Sequence, residues 1–142
     1  MSSNVIVVGV DGSEPSLKAL RWAVAQAKLT GSPLEVVTTW QYPTSLGWAP
    51  AWPADWDPAA EAQKSLSKIV SDEIKGSGVE AKLAVAEGHA APVLVKASED
   101  ASLLVVGSRG HGEFAGMLIG SVSEYCALHS QCPVVIVHHH DD

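Results

Sequence analysis

Two kinds of hydrophobic pattern alternate along the chain. Five short stretches rich in β-branched residues, Asn4–Val10 (NVIVVGV), Pro33–Trp40 (PLEVVTTW), Val79–Ala86 (VEAKLAVA), Ser102–Gly107 (SLLVVG) and Pro133–His138 (PVVIVH), predict strands. The runs VIVV, LLVV and VVIV are continuously apolar, as strands covered on both faces of a parallel sheet are, whereas the third stretch alternates more, as a strand nearer an edge does. Between them the apolar positions recur at helical spacing. From Ser13 to Gly31, Leu17, Leu20, Val24 and Ala27 form one stripe, with Pro15 in the first turn. A second helix from Pro58 carries Ala62, Leu66, Ile69 and Glu73 or Ile74 and stops at Gly76, and shorter helices are expected over Ala91–Ala101 and Ser121–Gln131. Strands alternating with helices over the whole length predict an α/β fold with a mostly parallel five-stranded sheet and right-handed crossovers.

One segment breaks the alternation. Gln41–Pro58 holds Pro43, Pro50, Pro53 and Pro58 together with Trp48, Trp52 and Trp56, so it continues neither a helix nor a strand and reads as a long loop. Its tryptophans suit a lid or partner surface, and equally a loop folded onto the sheet edge.

Length, charge and cysteines narrow the class. The 142 residues suit one domain, 1–142, large enough for a full core. A formal net charge of -7 opposes binding to nucleic acid or an anionic membrane, and no basic patch offsets it. The N-terminal apolar run is too short for a signal or membrane segment, so a cytoplasmic location is expected. Cys126 and Cys132 are too few and too oddly spaced for a disulfide scaffold or zinc knuckle. The closing His138–His140 run reads as a solvated tail, 139–142, without function.

Candidate chemistry concentrates after the fourth strand. Gly107, Gly110, Gly112, Gly116 and Gly120 fall within fourteen positions, and the following helix opens with SVSE, in which Ser121 and Glu124 have capping-box spacing and make Ser121 the expected N-cap. A helix start offers backbone N–H groups and a positive dipole end, and glycine lets an anion approach it closely. Neither common phosphate loop fits. There is no lysine after Lys96, which excludes a Walker loop, and the first strand-to-helix turn reads GVDGSE, without the dinucleotide fingerprint. In open α/β sheets ligands gather at strand carboxyl ends, and two such ends are dressed for one: GVDGS after the first strand and GSRGHG after the fourth.

The segments VVGSRGHGEFAGMLIGSVSEYCALHSQCPVVIV and IVVGVDGSEPSLKALRWAVAQA together resemble the universal stress protein family nearly end to end. The G-x2-G-x9-G-[ST] pattern of its nucleotide-binding branch is matched by Gly107, Gly110, Gly120 and Ser121. The resemblance implies an open Rossmann-like sheet ordered 3-2-1-4-5 with helices on both faces, an adenine nucleotide across the first and fourth strands, and a homodimer joined through Pro133–His138. It implies that Gly107 and Gly110 let the backbone pass under ribose and phosphates beside Arg109 and His111, and that Gly120, Ser121 and Val122 hold phosphates. Gly9, Val10 and Asp11 would lie along the nucleotide, Asp11 on ribose or on a phosphate-bound Mg²⁺, with Thr39 and Val106 bordering the adenine. Ser108, Gly112, Glu113 and Ser123 complete the expected nucleotide-binding set. Each has a plain alternative: an Asx-type turn for Asp11, a cap for Ser121, solvated positions for Arg109 and His111.

One arginine, one histidine and backbone donors suffice to bind ATP, with or without Mg²⁺, but are thin for phosphoryl transfer. A regulatory, stress-response ATP-binding protein, read through its dimer or by a protein partner, is therefore favoured over an enzyme. The alternatives are a slow Mg-dependent ATPase using Asp11 and His111, and a nucleotide-independent interaction module whose contact surface is the tryptophan loop.

Overall fold

The computed structural model describes residues 4–41, 55–109 and 119–138. In chain order the elements are β1 (Ile6–Gly9), α1 (Glu14–Thr30), β2 (Leu34–Trp40), α2 (Pro58–Ile74), β3 (Ala81–Glu87), α3 (Ala90–Ser98), β4 (Leu103–Gly107), α4 (Ser121–His129) and β5 (Val134–Val137). All pairings are parallel, in the order β3-β2-β1-β4-β5. The sheet is thus the open five-stranded one expected, with β1 central, the alternating β3 at one edge and β5 at the other.

Strand alternation sorts the apolar side chains into two layers. Ile6, Val8, Val36 and Val105 face α1 and α2, where they pack with Leu20, Ala23, Leu66 and Val70. Val7, Val37, Leu104 and Val106 face α3 and α4 and pack with Leu94 and Cys126. The central strands carry apolar residues at successive positions because both of their faces are covered.

Local chemistry sets the helix ends. Ser13 caps α1, its hydroxyl accepting from Ser16 N–H, and Gly31 ends the helix with φ 72° in the left-handed region that glycine enters without penalty. The Asp57 carboxylate caps α2 at Ala60 N–H, with Pro58 beginning the helix. The start of α4 differs from expectation. Gly120, not Ser121, is its N-cap, because Glu124 N–H donates the first helical bond to the Gly120 carbonyl at 3.0 Å, leaving Ser121 as the first helical residue. Of the loop expected over 41–58, residues 42–54 lie outside the described residues, as do 110–118 and the tail 139–142. Trp56 donates its indole N–H to Glu61 at 3.1 Å.

The seat of α1 on β4 depends on a missing side chain. A Cβ on Gly107 would stand 2.7 Å from the Pro15 carbonyl oxygen and 2.8 Å from its carbon. Backbone cannot swing aside as a side-chain tip can, so Gly107→Ala is expected to lower stability by about 1–3 kcal/mol, seen as a lower urea midpoint with an unchanged slope.

The fully buried Cys126 thiol sits under α4, and burial pushes its pKa up to about 11 from 9.0. The folded value lies above the unfolded one, so the unfolded chain loses this proton first as pH rises. Stability is therefore expected to fall between about pH 9 and 11, and urea titrations across that window should show a smaller decline in Cys126→Ala.

Candidate functional site

At the carboxyl ends of β1, β2 and β4 the structure opens into a cleft enclosing about 530 Å³, counting the part open to solvent. The cleft lies between β1 and β4, where the strand order reverses direction, the position at which open α/β sheets bind ligands. Its lining has two characters. Val37, Ala90, Leu94, Val106 and Val122 belong to the apolar layer beneath α3 and α4 and make one wall. Asp11, Ser16, Arg109 and the Gly120–Ser123 helix start bring the polar groups.

On the β1 side, the chain leaves the sheet at Val10, whose N–H donates to the Val37 carbonyl at 2.9 Å. Asp11 then folds into an Asx turn. Its Oδ1 accepts from Ser13 N–H at 2.9 Å and from the Ser13 hydroxyl, while Gly12 takes a φ of 86°. The Asp11 N–H donates to Ser16 Oγ at 3.2 Å, and the Ser16 hydroxyl donates in turn to the Ser13 carbonyl at 2.9 Å. One buried hydroxyl in the first turn of α1 thereby ties the turn to the helix. The Asx alternative for Asp11 is present in the geometry, and it fixes the residue at the cleft rather than removing it.

On the β4 side, Ser108 is the joint. Its N–H donates to the Val137 carbonyl at 2.9 Å, and its own carbonyl accepts from Gly120 N–H at 2.5 Å. The buried Ser123 hydroxyl lies 3.1 Å from the Ser108 carbonyl and 3.0 Å from that of Gly120, so one proton serves both. These bonds bring α4 back to the end of β4 across the intervening segment. Because Gly120 supplies no capping side chain and Glu124 is the first helical donor, the amides of residues 121–123 lie ahead of the helical ladder, at the positive end of the dipole. The start of α1 is capped by its own Ser13 hydroxyl.

Beyond the end of β1, β2 runs on through Thr38–Trp40 against β3. In a parallel ladder alternate residues turn their backbone groups to the same neighbour, so Thr39, like Val37, presents its N–H and C=O to the β1 side, past the last rung. A backbone donor and acceptor at this spacing suit the polar edge of a planar base.

Of the residues singled out from sequence, Gly9, Val10, Asp11, Thr39, Val106, Gly107, Arg109, Gly120, Val122 and Ser123 line this cleft. Ser108 is buried behind it as the joint described above, and Ser121, exposed on the first turn of α4, is not on its wall. Gly110, His111, Gly112 and Glu113 lie outside the described residues. Sequence reasoning missed Ser16, Val37, Thr38, Ala90 and Leu94. Val37 and Thr38 precede Thr39 on the same strand, and Ser16 follows Ser13 at capping distance, so local signals for them existed. Ala90 and Leu94 reach the site only through the packing of α3 over β1, which no local motif encodes. Among the described residues no group of three or more His, Cys, Asp or Glu side chains is placed to hold a metal ion. A cation here would need ligands from a bound phosphate beside Asp11.

Comparison with known proteins agrees with this architecture. The universal stress protein family model matches residues 3–138. Universal stress protein Rv2624c of Mycobacterium tuberculosis is 36% identical over 134 residues, covering 93% of this chain and 47% of its own length. The chain thus spans about half the length of the curated relatives it matches. Among solved structures, a universal stress protein in complex with cAMP is 28% identical with a TM-score of 0.69, over 97% of this chain and 98% of that one. The universal stress protein from Archaeoglobus fulgidus in complex with dAMP is 29% identical with a TM-score of 0.66, over 96% and 99%. With its sheet order, its cleft at the strand reversal and a family match over nearly its whole length, this chain belongs to the universal stress protein family.

Proposed function

We propose that the chain is a regulatory, stress-response protein that binds an adenine nucleotide, with ATP and phosphate-bound Mg²⁺ as the expected ligand, and whose occupancy is read through a homodimer or by a protein partner. The observation that carries this reading is the pairing, in one cleft, of an apolar wall with the start of α4, where the Gly120 cap makes no side-chain hydrogen bond and the dipole end suits phosphate. The relatives that hold cAMP and dAMP, at 28% and 29% identity, support the ligand class.

In this reading the base lies against Val37, Val106 and the α3 wall, its edge read by the Thr39 backbone. The ribose runs along Gly9–Asp11, and the phosphates meet the first-turn amides of α4 beside Arg109. Asp11 takes the ribose or the phosphate-bound Mg²⁺. Phosphoryl transfer needs charge neutralised on the moving group and an oriented nucleophile, whereas donors that grip the ground and transition states equally do not accelerate it. One arginine and one aspartate among the described cleft residues therefore favour binding over turnover.

The edge of the sheet supports the dimer part of this reading. β5 is an edge strand whose four residues are all half-buried, and a second β5 across a two-fold axis would cover it. A cytoplasmic location is part of the same reading; among the described residues no helix is long and apolar enough to cross a membrane.

Calorimetric titration of MgATP into protein stripped of bound nucleotide tests the reading. Saturable heat at one site per chain is expected, weakened on the order of tenfold or more in Asp11→Ala through loss of a charge-assisted contact. Absence of heat with ATP, AMP and cAMP alike would overturn it. If incubation with MgATP released ADP, and Asp11→Ala abolished the release, the slow ATPase would replace the binder.

A further inference from the structure

We propose that Leu94, seated against Gly9, sets the size of the base end of the cleft, admitting an unsubstituted purine ring and rejecting one that carries an added bulky substituent. The inference rests on the adenine-nucleotide reading above and deepens it.

Gly9 ends the central strand between Val37 of β2, its register partner, and the last residues of β4, so it stands in the middle of the floor of the apolar lobe. A Cβ at this position would point toward α3 and come within 2.8 Å of Leu94 Cδ1, 3.2 Å of Cδ2 and 3.5 Å of Cγ. The branched end of Leu94 therefore occupies the space that a side chain on Gly9 would take. Leu94 is only 2% exposed, yet it lines the cleft. It belongs to the same buried cluster as Val7, Leu104 and Val106, and the cleft it lines is open space into which its tip can move. One turn earlier on the same face, Ala90 contributes a single methyl, which leaves Leu94 as the bulkiest group that α3 lends to the wall.

Gly9 and Gly107 thus answer differently to the same substitution. At Gly107 the added methyl meets the Pro15 backbone, which cannot yield, and the fold bears the strain. At Gly9 it meets the far end of a side chain, which yields into the binding space, and the ligand bears it. The outcome is a compensating pair: Gly9→Ala narrows the lobe through Leu94, Leu94→Ala widens it, and the double variant returns the lobe toward its original width.

Isothermal titration with MgATP, N6-benzyl-ATP, 2-methylthio-ATP and 8-bromo-ATP tests this, with thermal melts confirming that each variant is folded. The natural chain should bind ATP and reject at least one substituted analogue. Leu94→Ala should bind that analogue better on the order of tenfold or more, the usual value of a few apolar atoms in a pocket. Gly9→Ala should lose ATP affinity by a similar factor, and Gly9→Ala/Leu94→Ala should recover most of it. Leu94→Val, which removes one carbon, should shift the analogue preference the same way by less, and it carries the test if Leu94→Ala does not fold. If the natural chain binds ATP and every analogue equally well, or if neither Leu94 variant gains any analogue, Leu94 does not set the base end, although the nucleotide reading stands. If the natural chain binds no adenine nucleotide at all, that reading falls first, and this inference with it.

Discussion

The cleft exists because no side chain stands at position 107. The Pro15 carbonyl lies where the Gly107 Cβ would be, so the first turn of α1 presses directly on the last residue of β4. This close approach brings the Asp11–Ser16 turn beside the Gly107–Arg109 turn, and two strand ends become one site. Any larger residue would lift α1 from the sheet and separate the two halves of the lining. The glycine that matches a phosphate-loop pattern in the sequence is thus a packing residue in the structure.

Much of the architecture was legible because burial writes itself into residue type. β1 and β4 read as covered strands from unbroken apolar runs, and β3 read as nearer an edge from its alternation, which is where it lies, whereas β5, with the same kind of apolar run, lies half-buried at the other edge. Pro15, Gly31 and Pro58 marked helix ends through their backbone restrictions. What failed was finer. Ser121 has the spacing of a capping box, but Gly120 takes the cap, because the bond from its N–H to the Ser108 carbonyl fixes the chain one residue earlier. That bond joins residues twelve apart across the fold, so no local window contains it. Leu94 and Ala90 escaped for the same reason: their helix has an ordinary apolar pattern, and only the crossover from β3 to β4 lays it over the end of β1.

Charge limits what the proposed anion site can use. With a net charge of -7, long-range repulsion works against an anionic ligand, and such a site must rely on groups that act at contact. Backbone amides at an uncapped helix start are such groups, since they are fixed in direction by the helix and need no side-chain ordering when the ligand arrives. The two helix starts on either side of the cleft divide the work. α1 caps itself with Ser13 and uses its first turn to hold Asp11 in place, whereas α4, capped by a residue without a side chain, leaves its dipole end to the cleft.

Ser108 connects that site to the edge of the sheet. Its carbonyl receives the Gly120 N–H and the Ser123 hydroxyl from the start of α4, and its N–H holds the Val137 carbonyl at the end of β5. A ligand that shifts the α4 start relative to β4 must move this residue, and with it the carboxyl end of the one strand proposed to meet a second copy. The distance to be covered is a single residue, and apart from the Ser123 hydroxyl the groups involved are backbone, which transmits a displacement instead of absorbing it in a rotamer change. If the proposed regulation has an occupied cleft felt at a partner surface, the sheet order 3-2-1-4-5 provides a short connection, because it places the start of α4 and the edge strand on opposite sides of one residue.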